Sequence, residues 1–192
     1  KYSVMVNSGS SANLISIAAL FYKKNNPLKK GDEVIVPTLS WSTTYYPLQQ
    51  YGLKLRFVDI DIDTLNASVQ NIIKAYTKKT KLIVAVNILG NPIELSKLRS
   101  FCRSKKIYLM EDNCESMGAK INGKFTGTFG IVNTFSTFFS HHISTIEGGI
   151  ILTNDFEIYN LLLALRSHGW TRDLLNNFYL KKNQTKYENY CF

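Results

Sequence analysis

Lys81-Leu82-Ile83-Val84-Ala85-Val86 is the stretch of this sequence that decides its fold. The run is almost continuously apolar, which is typical of a strand that helices cover on both faces of a parallel sheet. A second run of this kind, Ile107-Tyr108-Leu109-Met110, follows a segment in which Leu95, Leu98 and Cys102 line one helical face. We therefore predict two buried strands joined by a helix.

The alternation of strands and helices continues on both sides of this pair, and it indicates an α/β layered sheet. Two upstream strands are predicted at Glu33-Val34-Ile35-Val36, which Pro37 ends, and at Leu53-Lys54-Leu55-Arg56-Phe57-Val58. We expect a helix capped by Ser10 or Ser11, with Leu14, Ile17, Ala18 and Phe21 on one face. A capping-box-like pair, Asn154 and Glu157, predicts a last helix with Ile158, Leu161, Leu162 and Leu165 on one face.

The composition is that of a globular protein. The 192 residues are 45% hydrophobic and 19% charged, enough for one domain with a sizeable core. No apolar run approaches the ~18 residues of a membrane helix, and the first residues lack a signal-peptide pattern. Cys102, Cys114 and Cys191 show no metal-ligand spacing, which favours a reducing cytoplasm.

The formal charge of +9 comes from 23 Lys+Arg against 14 Asp+Glu. The lysines are scattered in pairs such as Lys23-Lys24 and Lys105-Lys106, which favours a solvated surface over a nucleic-acid site.

Three polar clusters lie at helix starts or near strand ends, where ligands bind in open α/β sheets. The first is the small-residue turn from Asn7 to Asn13. Its free backbone N–H groups and the positive end of a helix favour a phosphate, and an ordinary capped junction is the alternative. Trp41, just after a strand, could stack on a flat ring or simply pack.

The second cluster contains Asp112, which closes an apolar strand. It could hold a protonated ring nitrogen, a metal or a ribose, or cap a loop. Glu115 could orient a neighbouring group. The third cluster, from Ser136 to Gly149, contains the adjacent pair His141 and His142. A histidine there could carry protons near neutral pH, or the pair could be structural; no metal ligands lie nearby at suitable spacing.

These clusters together resemble the DegT/DnrJ/EryC1/StrS family of pyridoxal-phosphate-dependent sugar aminotransferases. The matches follow the family order over about residues 3–172. They are Ser8-Gly9-Ser10-Ser11-Ala12-Asn13, Gly31-Asp32-Glu33-Val34-Ile35-Val36-Pro37, Phe57-Val58-Asp59-Ile60-Asp61, Asn87 with Gly90-Asn91-Pro92, Glu111-Asp112 with Glu115, and Ser136 with Glu147-Gly148-Gly149.

The resemblance implies the fold type I of pyridoxal-phosphate-dependent transferases, with a mixed, mostly parallel sheet in three layers. It also implies cofactor contacts. Gly9, Ser10 and Ser136 would hold the phosphate, and Trp41 would stack on the ring. Asp112 would keep the ring nitrogen protonated so that the ring accepts electrons. Glu115 stands beside the ring, where the family usually carries Gln.

One departure from the family pattern points to the reaction. The family's aminotransferases carry a Schiff-base lysine five residues after the phosphate-binding serine, and here that position is His141. No lysine occurs between Lys124 and Lys181. Because imidazole cannot form a stable bond of that kind, the cofactor would be held non-covalently. The exchange, with the segment from His168 to Arg172, looks like the sugar 3-dehydratases of the family.

What this likeness implies is a lyase of deoxysugar and O-antigen biosynthesis. It would use pyridoxal or pyridoxamine 5′-phosphate to remove the C3 hydroxyl of a nucleotide-linked 4-keto-6-deoxyhexose. We expect GDP-4-keto-6-deoxy-D-mannose as substrate, glutamate as amino donor, and a cytoplasmic homodimer. His141 is the expected catalytic residue. Residues 1–172 would form most of the large domain, and 173–192 would start the connection toward a small C-terminal domain.

Four alternatives remain from the sequence. A CDP-hexose dehydratase is disfavoured because no cysteine follows Arg172-Asp173 until Cys191, where the iron–sulfur branch carries its ligands. An ordinary nucleotide-sugar aminotransferase would need a lysine in place of His141. A non-catalytic nucleotide-sugar-binding paralogue would not need to keep Asp112, Ser136 and Trp41. A dinucleotide-binding protein would need a G-x-G-x-x-G motif, which the Gly9 region lacks.

Overall fold

The chain is built on a seven-stranded sheet with the strand order β1-β9-β8-β5-β4-β2-β3. The structure is a computed structural model, and it describes residues 1–171 and 174. Nearly all of the predicted connection at 173–192 therefore lies outside the described residues. The strands of the main sheet are β1 (Tyr2–Val6), β2 (Glu33–Pro37), β3 (Lys54–Val58), β4 (Thr80–Val86), β5 (Tyr108–Asp112), β8 (Val132–Ser136) and β9 (Gly149–Thr153), and β6 (Lys120–Ile121) and β7 (Lys124–Phe125) form a separate hairpin.

Strand direction confirms the predicted mixed, mostly parallel sheet. β2 pairs in parallel with β3 and β4, and the chain of parallel pairs continues through β5 to β8. Only β9 runs the other way within this sheet, because it is antiparallel to both of its neighbours, β1 and β8. The carboxyl ends of the other strands therefore meet at one edge, together with the beginning of β9.

The two cores lie on opposite faces of the sheet, as the apolar run at β4 predicts. Leu82 and Val84 face one core, whereas Ile83 and Ala85 face the other, as the side-chain alternation of a strand requires. The helices are α1 (Gly9–Tyr22), α2 (Ser42–Gln50), α3 (Val69–Ala75), α4 (Leu95–Lys105) and α5 (Phe156–Arg166). Buried residues of α1, α2 and α5 belong to the first core and those of α3 and α4 to the second, so the fold has three layers. Among the described residues, no helix is long and apolar enough to cross a membrane.

Two predicted helix caps are wrong, although both helices are present. The N-cap of α1 is Ser8, whose Oγ accepts a hydrogen bond from the Ser11 N–H, so Ser10 lies inside the first turn. The N-cap of α5 is Asp155, which accepts from the Ile158 N–H. Serine and aspartate are both good N-caps, and the chain geometry before each helix decided which polar residue took the position.

Lys23 also departs from the predicted solvated surface. Its side chain is only 7% exposed, and its Nζ lies 3.0 Å from a carboxylate oxygen of both Asp155 and Glu157. These ion pairs connect the end of α1 to the start of α5. Glu157 is thereby engaged by Lys23 instead of completing the predicted capping box.

Glu111 is a buried carboxylate that fixes the loop before β8. It is 0% exposed and accepts hydrogen bonds from the backbone N–H groups of Gly127, Phe129 and Gly130 at 2.7–2.8 Å. Burial raises the pKa of Glu111 above its ordinary value, although the N–H donors act in the opposite direction. The neighbouring residue, Asp112, points to the opposite face of the strand.

We predict that Glu111→Ala lowers the free energy of unfolding of the full-length protein by about 3 kcal/mol, because buried N–H groups lose their acceptor. Glu111→Gln should cost less, since its amide oxygen can still accept from Phe129 and Gly130. Denaturant unfolding measures both. Glu94→Ala is the control: that side chain is 60% exposed, and we expect a change within about 0.5 kcal/mol. Equal losses at the two positions would contradict this account of the loop.

Candidate functional site

A cavity of about 480 Å³ opens at the sheet edge where the parallel strands end. The structure brings all the predicted site residues to its wall. They are Gly9, Ser10, Trp41, Asp112, Glu115, Ser136 and His141. They come from several elements and reach one place because parallel strands deliver their carboxyl ends to a common edge.

The first turn of α1 forms a narrow cradle with the end of β8. Gly9 is buried, and a Cβ atom built on it would lie 2.7 Å from the Ser136 Cβ and 3.0 Å from the Cys114 Sγ. Any side chain at this position would therefore fill the space between the helix and the strand. The N–H groups of the first turn have no carbonyl one turn earlier in the helix, and they stand at its positive end. We call Gly9, Ser10 and Ser136 the cradle.

Gly149 keeps the back of the cradle close to the sheet. A Cβ on Gly149 would lie 2.2 Å from the Ser8 carbonyl oxygen and 2.4 Å from its carbon. Gly149 also pairs with Val6 and Ser136 at the start of β9. The glycine lets β9 run directly behind the chain that enters α1.

Asp112 lies at the floor of the cavity and is 5% exposed. Its Oδ2 accepts hydrogen bonds from Thr44 Oγ1 at 2.8 Å and from Asn13 Nδ2 at 2.9 Å. Its Oδ1 accepts from the Cys114 N–H at 3.2 Å. The side chain is thus held by donors from two helices and from its own loop.

Trp41 stands at the rim of the cavity as the N-cap residue of α2. It is 75% exposed, so it does not pack in either core. Among the described residues, the packing alternative from the sequence is therefore wrong, and the indole is available to a ligand or to a second chain.

The two adjacent histidines occupy different environments. His141 is half-buried and lines the cavity, whereas His142 is exposed and is not among the lining residues. The loop that carries them is closed at its base by hydrogen bonds from the Thr137 N–H to Gly148 and from the Thr145 N–H to Thr137. The His141 N–H donates to the Phe138 carbonyl at 2.9 Å, which fixes the turn just before the imidazole.

Glu115 lies across the cavity and holds the turn after β4. Its Oε2 accepts from the Leu89 N–H at 2.8 Å, and Leu89 has a φ of +50°. The carboxylate therefore stabilises a turn in which a non-glycine residue takes the left-handed conformation.

The sequence did not single out three residues that belong to this site, namely Asn13, Thr44 and Cys114. Asn13 lies four residues after Gly9 on α1, so helical spacing could have indicated that it shares the inward face. No sequence pattern indicated that Thr44 belongs to the site. Burial, reinforced by the Asp112 carboxylate, raises the pKa of the Cys114 thiol, so this residue is a neutral group in the wall and not an activated nucleophile.

The described residues that line the cavity include a histidine but no lysine. Within residues 1–171 and 174, no group of three or more His, Cys, Asp or Glu side chains is arranged to hold a metal ion. The available chemistry is therefore an anion cradle, a buried carboxylate, an exposed indole and an imidazole around one space.

Comparison with known proteins gives a consistent result. A sequence profile of the DegT/DnrJ/EryC1/StrS aminotransferase family matches residues 1–187. GDP-4-keto-6-deoxy-D-mannose 3-dehydratase of Yersinia pseudotuberculosis is 60% identical over 174 residues, which are 91% of this chain and 44% of that protein. The chain thus spans about half the length of the curated relatives it matches.

Two crystal structures show the same relationship in three dimensions. A mutant GDP-4-keto-6-deoxymannose-3-dehydratase with bound GDP-perosamine superposes with a TM-score of 0.93 at 54% identity, covering 100% of this chain and 50% of that one. A second structure of that enzyme, with a trapped PLP-glutamate geminal diamine, gives a TM-score of 0.88 at 59% identity, covering 91% and 45%.

We predict that Gly149→Ala destabilises the full-length protein by about 1–3 kcal/mol, because its Cβ must push the backbone of Ser8 away from β9. Thermal or denaturant unfolding measures the loss. Gly31→Ala separates crowding from backbone strain: Gly31 has a positive φ, of +91°, which Gly149 does not, but no atom lies within 4 Å of its added Cβ. We expect Gly31→Ala to lose about 1 kcal/mol from backbone strain alone. A Gly149→Ala protein as stable as the wild type would show that the close approach does not limit this position.

Proposed function

Because the chain belongs to the DegT/DnrJ/EryC1/StrS aminotransferase family, we propose that it forms the cofactor-binding part of a pyridoxal-phosphate-dependent nucleotide-sugar 3-dehydratase. The proposed substrate is GDP-4-keto-6-deoxy-D-mannose, which would lose its C3 hydroxyl. The observation that carries the proposal is the wall of the cavity, where His141 takes part together with Asp112 and the cradle. The relatives named for this reaction support the same assignment.

The residues present fit pyridoxal or pyridoxamine phosphate. The cradle is small because of Gly9, and it offers N–H groups and the Ser136 hydroxyl to a phosphate. Asp112 is a buried carboxylate that can pair with a ring nitrogen, and the exposed Trp41 can cover a ring face. Glu115 would stand beside the ring. When bound as the amine, this cofactor supplies an amino group that condenses with the sugar ketone and a ring that accepts electrons.

His141 would move protons at the C4′ carbon of the cofactor. An imidazole can take up and release a proton near neutral pH, and it lines the cavity from a loop that is closed at its base. Since imidazole does not form the covalent link that a lysine forms, the cofactor would be held by the cradle, Asp112 and Trp41 alone. The same imidazole can donate the proton with which the C3 hydroxyl leaves as water.

Two partners belong to this proposal. Glutamate is the proposed amino donor that regenerates the amine, and the relative with a trapped PLP-glutamate adduct supports it. We also propose a homodimer. Leu89, Phe139, Ile143 and Ile146 are exposed apolar side chains on loops that follow β4 and β8, and a second subunit would cover such a surface.

We propose further that residues 1–172 form most of the large domain and that 173–192 lead toward a small domain. This agrees with relatives that are about twice as long.

We predict that His141→Asn lowers the rate of dehydration by roughly a hundredfold or more, because a general acid–base residue contributes that much. Binding of pyridoxamine phosphate should stay within about threefold of the wild-type value, since the cradle and Asp112 are unchanged. Turnover of the nucleotide sugar and equilibrium cofactor binding are the two measurements. His142→Asn, at an exposed position on the same loop that does not line the cavity, should keep the wild-type rate. Full activity in His141→Asn would exclude the proposed role.

We predict that the full-length protein, given pyridoxal phosphate and glutamate, converts the aldehyde absorbance to that of the amine. It should then dehydrate the GDP-linked 4-keto-6-deoxyhexose faster than the CDP-linked sugar. Mass spectrometry would show loss of the C3 oxygen in the product. A product that gains an amino group instead would indicate an aminotransferase. An unchanged cofactor spectrum would indicate a protein that only binds its ligand.

A further inference from the structure

The buried donors around Asp112 form a continuous chain of side chains. Thr134 Oγ1 donates to Asn13 Oδ1 at 2.7 Å, and Asn13 Nδ2 donates to Asp112 Oδ2 at 2.9 Å. From the other side, Thr44 Oγ1 donates to the same oxygen at 2.8 Å, and Ser40 Oγ lies 2.7 Å from Thr44 Oγ1. Thr134, Asn13 and Thr44 are at most 4% exposed.

The donor and acceptor properties of the side chains fix which one donates in each hydrogen bond of this network. A carboxylate oxygen only accepts, so the single hydroxyl proton of Thr44 points at Asp112 and Ser40 must donate to Thr44. The Asn13 amide must turn its NH₂ group to Asp112, because the reverse orientation would place two oxygens against each other. Thr134 then supports that orientation by donating to the Asn13 oxygen.

The two oxygens of Asp112 are therefore unequal. Oδ2 accepts two short side-chain hydrogen bonds, whereas Oδ1 accepts the longer bond from the Cys114 N–H, at 3.2 Å, and the Cys114 thiol also hydrogen-bonds to the carboxylate. Hydrogen bonds from buried side chains hold a functional group in one orientation. Oδ1 keeps acceptor capacity for a group that enters the cavity.

We propose that Thr44, Asn13 and Thr134 are positioning residues that hold the Asp112 carboxylate toward the ring nitrogen of the cofactor, so that this nitrogen keeps its proton. This inference rests on the proposed function, and it assigns these three residues a task in it. A ring that keeps its proton remains an acceptor of electrons. If the carboxylate turned away from the ring nitrogen, the protonated ring would lose its partner, and the ring would lose that capacity.

The same residues align the other predicted cofactor contacts. The Thr44 N–H donates to the Trp41 carbonyl at 3.0 Å, so the residue whose hydroxyl binds Asp112 also anchors, through its backbone, the turn that carries the indole. Asn13 lies one turn after Gly9 on α1. The two residues that bind Asp112 Oδ2 thus belong to the helices that also carry the cradle and the indole.

The test is Thr44→Val in the full-length protein, loaded with pyridoxamine phosphate whose ring nitrogen is isotopically labelled. We expect the nitrogen NMR signal to move toward the value of a neutral pyridine at unchanged pH. We also expect the dissociation constant of pyridoxamine phosphate to rise roughly tenfold, as for loss of a hydrogen bond to a charged group. Thr44→Ser keeps the hydroxyl and should restore the wild-type signal.

Thr80→Val is the matched control for a merely structural effect. Thr80 is also buried, and its hydroxyl donates to the Glu33 carboxylate at 2.7 Å, but it lies at the start of β4, away from the cavity. It should lower stability and leave the ring-nitrogen signal unchanged. If Thr44→Val behaves like Thr80→Val, the inference is overturned and the proposed function stands.

Two further outcomes are informative. If Thr44→Val does not fold, Thr134→Val tests the same chain from the other end, and a signal equal to that of the wild type would overturn the inference. A wild-type protein that does not bind pyridoxamine phosphate would overturn the proposed function, and this inference with it.

Discussion

The hydrogen bonds that converge on Oδ2 of Asp112 are the interaction on which the rest of the site depends. They connect β5 to α1 through Asn13 and to α2 through Thr44, and Thr134 adds β8 through Asn13. The elements α1, α2 and β8 each carry another residue of the cavity wall. A buried carboxylate is costly unless donors surround it, so the elements can pack as they do only when the donors are in register.

The adjacent residues Glu111 and Asp112 show how one strand serves stability and chemistry together. Because side chains alternate along a strand, one carboxylate turns into the layer below the cavity and the other turns toward the cavity. Glu111 accepts hydrogen bonds from backbone N–H groups and so holds the loop that leads into β8. Asp112 accepts from side chains and retains capacity on Oδ1. The position of β8, and with it Ser136, therefore depends on the carboxylate that never faces the cavity.

Much of the fold follows from local sequence. The apolar run at β4 indicated burial on both faces, and the two cores confirm it. The polar clusters after the strands indicated one functional edge, since parallel strands must deliver their carboxyl ends to the same side. The helix caps at Ser8 and Asp155 were misassigned, because several capping residues lie side by side and only the path of the chain selects one.

The sequence by itself determined which residues could reach the cavity and that a histidine, not a lysine, stands five residues after Ser136. Only the tertiary structure decided that His141 lines the cavity while His142 is exposed, and that Asn13 and Thr44 meet Asp112 across 99 and 68 residues of chain. The hydrophobic pattern of a strand or helix depends only on backbone geometry over a few residues, so it can be recognised in the sequence. Which side chains meet across such separations depends on strand order and on the rotation of each helix, which no local pattern encodes.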